Sequence, residues 1–115
     1  MNYKVALSYQ AENDLVRILF YIAGECFNSF AARKIISKIE KKIEGLSFMP
    51  KKYKESGLIE GVRMATVKPY NIFYEINEKE KRVEITMIRH CRVNPETIKE
   101  EWENKKKFDS DSFDS

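Results

Sequence analysis

Seven side chains with chemistry to offer cluster around the ends of short extended runs in the second half of the sequence. They are Arg63, Lys68, Arg89, His90 and Arg92, with Tyr70 and Asn71 beside them. An imidazole gives or takes a proton near neutral pH, and guanidinium groups hold a phosphate and stabilise charge developing on it. These types suit phosphodiester cleavage. They suit static contacts to phosphate or to an acidic protein equally well, and a lone His at a strand end is more often structural. Other chemistries lack their signatures. The sequence has no GxGxxG, no Walker sequence, no HExxH and no serine nucleophile elbow. One His and two distant Cys make a poor ligand set, so neither a metal nor a cofactor is expected.

The segment that must position these groups is GVRMATVKPYNIFYEINEKEKRVEITMIRHCR, residues 61–92. In residues 71–77, Ile72, Tyr74 and Ile76 alternate with Asn71, Phe73 and Glu75, the period of a half-buried strand. In residues 82–89, Val83, Ile85 and Met87 point one way and Glu84, Thr86 and Ile88 the other. His90 shares the second parity, so it is expected on the sheet face away from any helical cover. Residues 62–67 form a third extended run, ended by Lys68-Pro69. Proline cannot donate to a ladder and favours a turn there. Three strands in meander order leave one apolar face to be covered.

The first half of the sequence supplies that cover. Residues 3–7 read as a short strand with Tyr3, Val5 and Leu7 on one face, and Ser8 stands as a helix N-cap. Residues 9–27 place Ala11, Leu15, Ile18, Leu19, Ile22 and Cys26 at near-helical spacing. Glu12 and Asp14 suit the early turns electrostatically. After the short Asn28-Ser29 connection, Ala32, Ile35, Ile36, Ile39, Ile43 and Leu46 define a second helix. Its other side is lysine-rich and reads most simply as a solvated face. So short a connection makes the two helices antiparallel, with their apolar stripes across one face of the sheet. A short helix is expected near residues 96–104. The fold class is therefore α+β: an N-terminal strand, a helical hairpin and a mainly antiparallel sheet of about four strands.

The 115 residues suit one domain, assigned to 1–104, with 105–115 a polar acidic tail expected to be disordered. The net charge is +3, but the final FDSDSFDS holds three Asp; without them 21 bases face 15 acids, or +6. A moderately basic domain is compatible with a nucleic-acid or other anionic partner. No apolar run approaches a membrane span and no export pattern opens the sequence, so a cytoplasmic protein with reduced thiols is expected.

The order of these features resembles the RelE/ParE superfamily of toxins from type II toxin–antitoxin systems. The resemblance spans about residues 3–94. It rests on Ser8, Ala11-Glu12, Asp14-Leu15 and Tyr21-Ile22-Ala23 in the first helix, and on Ala31-Ala32, Ile39, Ile43, Leu46 and Pro50 in the second helix and its exit. In the sheet it rests on Gly61-Val62-Arg63, Val67, Tyr70-Asn71-Ile72-Phe73-Tyr74, Val83-Glu84-Ile85 and Ile88-Arg89-His90. It implies a small toxin that arrests growth and takes part in plasmid stabilisation. It also implies an antitoxin wrapped around the toxin in a hetero-oligomer, using grooves along the helices and a sheet edge.

One branch of the family cleaves mRNA on the ribosome without metal, and the other poisons DNA gyrase. Arg63 matches an arginine of both branches. Residues 89–95, RHCRVNP, look more like the ending of the gyrase-poison branch, and no Tyr follows His90. Lys51, Lys52 and Lys54 resemble the basic loop with which RNA-cleaving members hold substrate. The gyrase-type reading is favoured and the ribosome-dependent endonuclease is its alternative. A degenerate toxin that keeps only antitoxin binding is a third reading. In the nuclease reading Arg63, His90 and Arg89 are catalytic. Lys51, Lys52, Lys54, Lys68, Tyr70, Arg92 and Asn94 are the binding candidates. The ordinary structural alternatives are that Arg63 pairs with Glu75 or Glu84, that Tyr74 is core, and that Tyr70 and Phe73 cover the outer sheet face rather than stack a base.

Overall fold

The computed structural model describes residues 2–25 and 27–108, with side chains as far as Asn104. The element order is β1 (Lys4–Leu7), α1 (Tyr9–Phe20), α2 (Ser29–Gly45), β2 (Arg63–Val67), β3 (Tyr70–Asn77), β4 (Arg82–His90) and α3 (Pro95–Phe108). The sheet runs β1-β4-β3-β2, antiparallel except that β1 lies parallel to β4. This is the expected α+β architecture, and the helical hairpin does pack on the sheet. Ala11 and Ile18 of α1 share one core cluster with Ile39 and Ile43 of α2 and with Ile72, Tyr74, Val83 and Ile85 of the sheet.

Side-chain caps set the helix starts. The Ser8 hydroxyl accepts from the Ala11 N–H at 3.0 Å, and the Asn28 side chain accepts from the Ala31 N–H at 2.9 Å. The first helix is not one continuous α-helix to residue 27: after Phe20 it widens into a π turn, Tyr21–Glu25. Phe27 then adopts a positive φ of 50° before the Asn28 cap.

Two expectations about the sheet are corrected. The alternation of β4 does not run unbroken. Phe73 pairs with Met87 and Tyr74 with Ile85, so the ladder register skips Thr86, a β-bulge. Beyond it the parity flips. Met87 joins Phe73 on one face, while Ile88 joins Val83 and Ile85 under the helical hairpin. His90, in step with Ile88, therefore lies on the helix side and not on the opposite face. The bulge is held chemically: the Ser8 hydroxyl donates to the Thr86 carbonyl at 2.9 Å, and the Thr86 hydroxyl donates to the Phe73 carbonyl at 2.9 Å.

The second correction is that both faces of the sheet are apolar and covered. Val62, Phe73 and Met87 form a second buried cluster with Ile98 and Trp102 of α3. That helix also runs through Phe108, so residues 105–108, assigned to the tail, are helical. Lysines are good helix formers and favourable near a helix C-terminus. The expectation for residues 109–115 falls outside the described residues. No helix among the described residues is long and apolar enough to cross a membrane.

Candidate functional site

At the C-terminal end of β4, His90 lies opposite Tyr70 in the ladder, and their rings meet edge to face with centroids 5.4 Å apart. The His90 Nδ1 accepts the Arg92 N–H at 3.1 Å, which places the proton of the neutral ring on Nε2. These residues line an open groove of about 730 Å³ between the hairpin, the end of the sheet and α3. Ile18, Ile22 and Ile35 contribute its apolar wall, and Arg17 and Arg92 its exposed cations.

Arg89 is differently placed. Its side chain is only 13% exposed and donates to Asp14 at 2.5 Å and to both carboxylate oxygens of Glu101 at 3.2 Å. Burial works to lower the guanidinium pKa, but the Glu101 hydrogen bond and the Asp14 charge outweigh it and the net shift is upward. Asp14 is itself buried, accepting the Ile88 N–H at 2.9 Å and the Gln10 amide at 2.9 Å. The Asp14–Arg89–Glu101 cluster thus ties α1 and α3 to β4.

Arg63 sits at a different end of the sheet. It pairs with Tyr74 in the ladder, four residues along β3 from Tyr70, the partner of His90. At ~3.3 Å per residue this is about 13 Å along the strand, with β3 intervening between β2 and β4. The Arg63 guanidinium donates to the carbonyls of Tyr53 at 2.6 Å and Lys51 at 3.4 Å. Glu84, one of its expected partners, is held by Arg82 at 2.6 Å. Next to Arg63, the buried Tyr74 hydroxyl donates to the Pro50 carbonyl at 2.6 Å. Burial pushes the Tyr74 phenol up to about 12, with the Arg63 charge acting in the opposite direction. Arg63 and Tyr74 together pin the turn that carries Lys51 and Lys52.

The remaining candidates are dispersed. Lys51 is exposed and pairs with Glu78 at 2.6 Å. The Lys52 ammonium lies 5.5 Å from the Tyr53 ring centroid. Lys54 and Lys68 are exposed, the latter on the β2–β3 turn. Asn94 accepts the Glu96 N–H at 2.8 Å and so caps α3. Phe73 and Tyr70 are both buried, Phe73 beneath α3 and Tyr70 beneath the hairpin. The structure brings His90, Tyr70, Arg92 and Arg89 to one end and Arg63 with the lysine turn to another. Sequence reasoning missed Asp14 and Glu101 as partners of Arg89. Asp14 had a sufficient explanation in the helix dipole, and nothing local distinguishes a buried carboxylate from an exposed one. It also missed Tyr53 and Arg17, for which the sequence offers no signal beyond their type.

With this geometry in place, the relatives can be set beside the chain. Residues 5–95 match the family model for the ParE toxin of the type II toxin–antitoxin system parDE. The chain belongs to that family. A search of curated proteins finds no significant sequence match. Among solved structures, the chromosomal ParDE system of P. aeruginosa superposes with a TM-score of 0.68 at 18% identity, covering 76% of this chain and 95% of that one. The RelBE2 toxin–antitoxin complex of Mycobacterium tuberculosis gives 0.61 at 20% identity, covering 78% and 99%. The free E. coli toxin RelE, as a double-arginine variant, gives 0.64 at 13% identity, covering 90% and 98%. At these identities the superpositions establish the shared fold.

Proposed function

We propose that this toxin acts by binding and poisoning DNA gyrase rather than by cutting RNA. The observation that carries this reading is the separation of Arg63 from His90. In-line cleavage of one phosphodiester needs the proton-transferring group and the charge-stabilising group on the same reacting centre. Here the two lie about 13 Å apart along the sheet by strand spacing, and Arg63 is engaged by backbone carbonyls. Arg89, the third member of the nuclease set, is enclosed by two carboxylates. What the His90 end offers instead is a groove with an apolar wall and exposed Arg17 and Arg92, suited to holding a protein surface.

The test uses the full-length chain made by cell-free synthesis. Added to gyrase, relaxed plasmid and ATP, it is expected to block supercoiling and leave cleaved DNA trapped on the enzyme. Added to translating ribosomes, it is expected to leave mRNA intact. Undisturbed supercoiling together with ribosome-bound mRNA cut within codons would establish the alternative, in which Lys51, Lys52 and Lys54 hold the RNA. Inactivity in both assays would support the degenerate reading.

The same reading makes this chain half of a two-component system that works in the cytoplasm. The partner is a cognate antitoxin, as in the ParDE and RelBE complexes with the same fold. On this chain the surface available to it is the outer side of the hairpin. Tyr9, Val16 and Phe20, spaced seven and four apart along α1, are exposed, as are Phe27 and Phe30 at the hairpin turn.

A further inference from the structure

The groove beside His90 holds two cations that the fold does not use. Arg89 is engaged by Asp14 and Glu101. Arg17 and Arg92, by contrast, are exposed and form no ion pair with a carboxylate among the described residues. Ile18, Ile22 and Ile35 give the same groove an aliphatic wall, and Glu101 of α3 also lines it. Beyond Glu101 the helix continues for seven residues to Phe108, or about 10 Å along its axis. The seven residues that follow, DSDSFDS, carry three Asp, one Phe and no base.

We propose that residues 109–115 double back along α3 and occupy this groove, with their carboxylates on Arg17 and Arg92 and Phe113 on the aliphatic wall. The chain then carries its own competitor for the site. That the competitor restrains the toxin rests on the gyrase reading; the contact itself does not. The length fits. From Pro95 to Phe108 α3 is about 20 Å long at 1.5 Å per residue, and seven extended residues span up to roughly 23–25 Å. Running back from Phe108, Asp111 draws level with Glu101, and Asp114 comes to the first turn of α3, just after Arg92. The composition fits too. A guanidinium takes a carboxylate in a two-pronged contact, and a phenyl ring among acids matches a groove that joins arginines to aliphatic side chains. Tethering places the segment at an effective concentration on the order of millimolar, so contacts too weak to hold a free peptide suffice. Lys38, Lys41, Lys42 and Lys52 offer similar charge, but their groove lies beside β2. In the sheet order that is two strands away from β4, to which Glu101 ties α3.

The test reads the imidazole of His90, the single His in the sequence, in nitrogen–proton NMR spectra of the full-length chain. D109N/D111N/D114N is expected to shift the His90 ring signals and the side-chain N–H signals of Arg17 and Arg92. F113A is expected to shift them part of the way. Added salt is expected to move the unaltered chain toward the triple variant and to leave that variant nearly unmoved, because exposed charge pairs are screened. E40Q/E44Q/E60Q removes three exposed acids elsewhere and is expected to leave these signals in place. Equal shifts in E40Q/E44Q/E60Q, or none in D109N/D111N/D114N, would overturn the proposal. Shifts that vanish on dilution would overturn it too, because the segment would then be reaching a second copy of the chain. In the supercoiling assay D109N/D111N/D114N is expected to inhibit gyrase about threefold to tenfold more strongly than the unaltered chain, as for a site left free about a tenth to a third of the time. Equal or weaker inhibition by that variant would refute the competitor. If no form of the chain affects gyrase, the gyrase reading fails, while the contact is still decided by the His90 signals.

Discussion

Two buried polar residues show how this chain holds its candidate site in place. Asp14 accepts from both the backbone of Ile88 and the guanidinium of Arg89, well inside the protein. Removing one partner of a buried ion pair strands the other, at about 3–5 kcal/mol. Glu101 still faces Arg89, and an Asn side-chain oxygen can still accept from Ile88, so Asp14→Asn is expected at the lower end, about 3 kcal/mol. The urea midpoint reads this directly, and a loss under about 1 kcal/mol would mean that Glu101 alone suffices. Tyr74 gives a pH dependence with a definite sign. Its folded pKa, pushed up to about 12 by burial, lies above the ordinary phenol value of about 10. The unfolded chain therefore releases this proton first as pH rises. Its contribution is fully present below about pH 10, and is lost progressively as pH rises through about 12, by at most about 3 kcal/mol. Tyr74→Phe is expected to cost about 1 kcal/mol at neutral pH through the lost bond to Pro50 and to flatten the alkaline limb of stability against pH. An alkaline limb identical in the two proteins would remove Tyr74 as its source. Of these roles, only the burial of Tyr74 was readable from alternation. The partners of Arg63 and Arg89 come from segments distant in sequence, and charge type alone did not reveal them.

At the level of elements, most of the organisation was legible because it is local. The helix stripes, the Ser8 cap, the short Asn28-Ser29 connection and the Lys68-Pro69 turn all rest on residues close together in the chain. The bulge at Thr86 was not, because the segment RVEITMIRH alternates plausibly in either register beyond Thr86. What selects the bulge is tertiary: Ser8 on the Thr86 carbonyl, Asp14 on the Ile88 N–H, and an apolar α3 waiting on the other face for Met87. The flip moves His90 across the sheet, so one unpredicted residue in the ladder relocated the main catalytic candidate. Docking of α3 can be checked through Trp102, the one tryptophan in the sequence and only 6% exposed. Ile98→Asp puts a carboxylate into the same cluster, where Ile98 is 4% exposed. It is expected to release α3, shift Trp102 emission to longer wavelength and destabilise the protein by at least about 2 kcal/mol. The helical hairpin's side of the sheet keeps its own core, so most far-ultraviolet circular dichroism should remain. Unchanged emission with undiminished stability would show that α3 does not depend on this contact.

Over the whole molecule, the distribution of exposed aromatic side chains matters for partners. The outer side of α1 and the hairpin turn carry most of them. Phe27 is 92% exposed, Phe30 77% and Phe20 68%, far more than single scattered residues on a monomer's surface require. Of the stripes that the sequence assigned to the core, Ala11, Ile18, Ile39 and Ile43 are buried there, whereas Leu19 is exposed and Cys26 lies outside the described residues. These aromatics are additional to that stripe, and helical spacing alone did not set them apart. In the antitoxin complex they are expected to be the anchors, because aromatic residues in desolvated pockets dominate binding energy at ~2 kcal/mol or more each. Phe20→Asp and Phe30→Asp are therefore expected to weaken the cognate antitoxin by at least about thirtyfold apiece. Stability of the free toxin should change by no more than about 0.5 kcal/mol, since neither side chain is buried. Hydrogen exchange of the complex should show new protection in α1 and the first turns of α2. Tight antitoxin binding by both variants, with new protection confined to α3, would place the antitoxin elsewhere and leave the exposed aromatic surface free for the toxin's target.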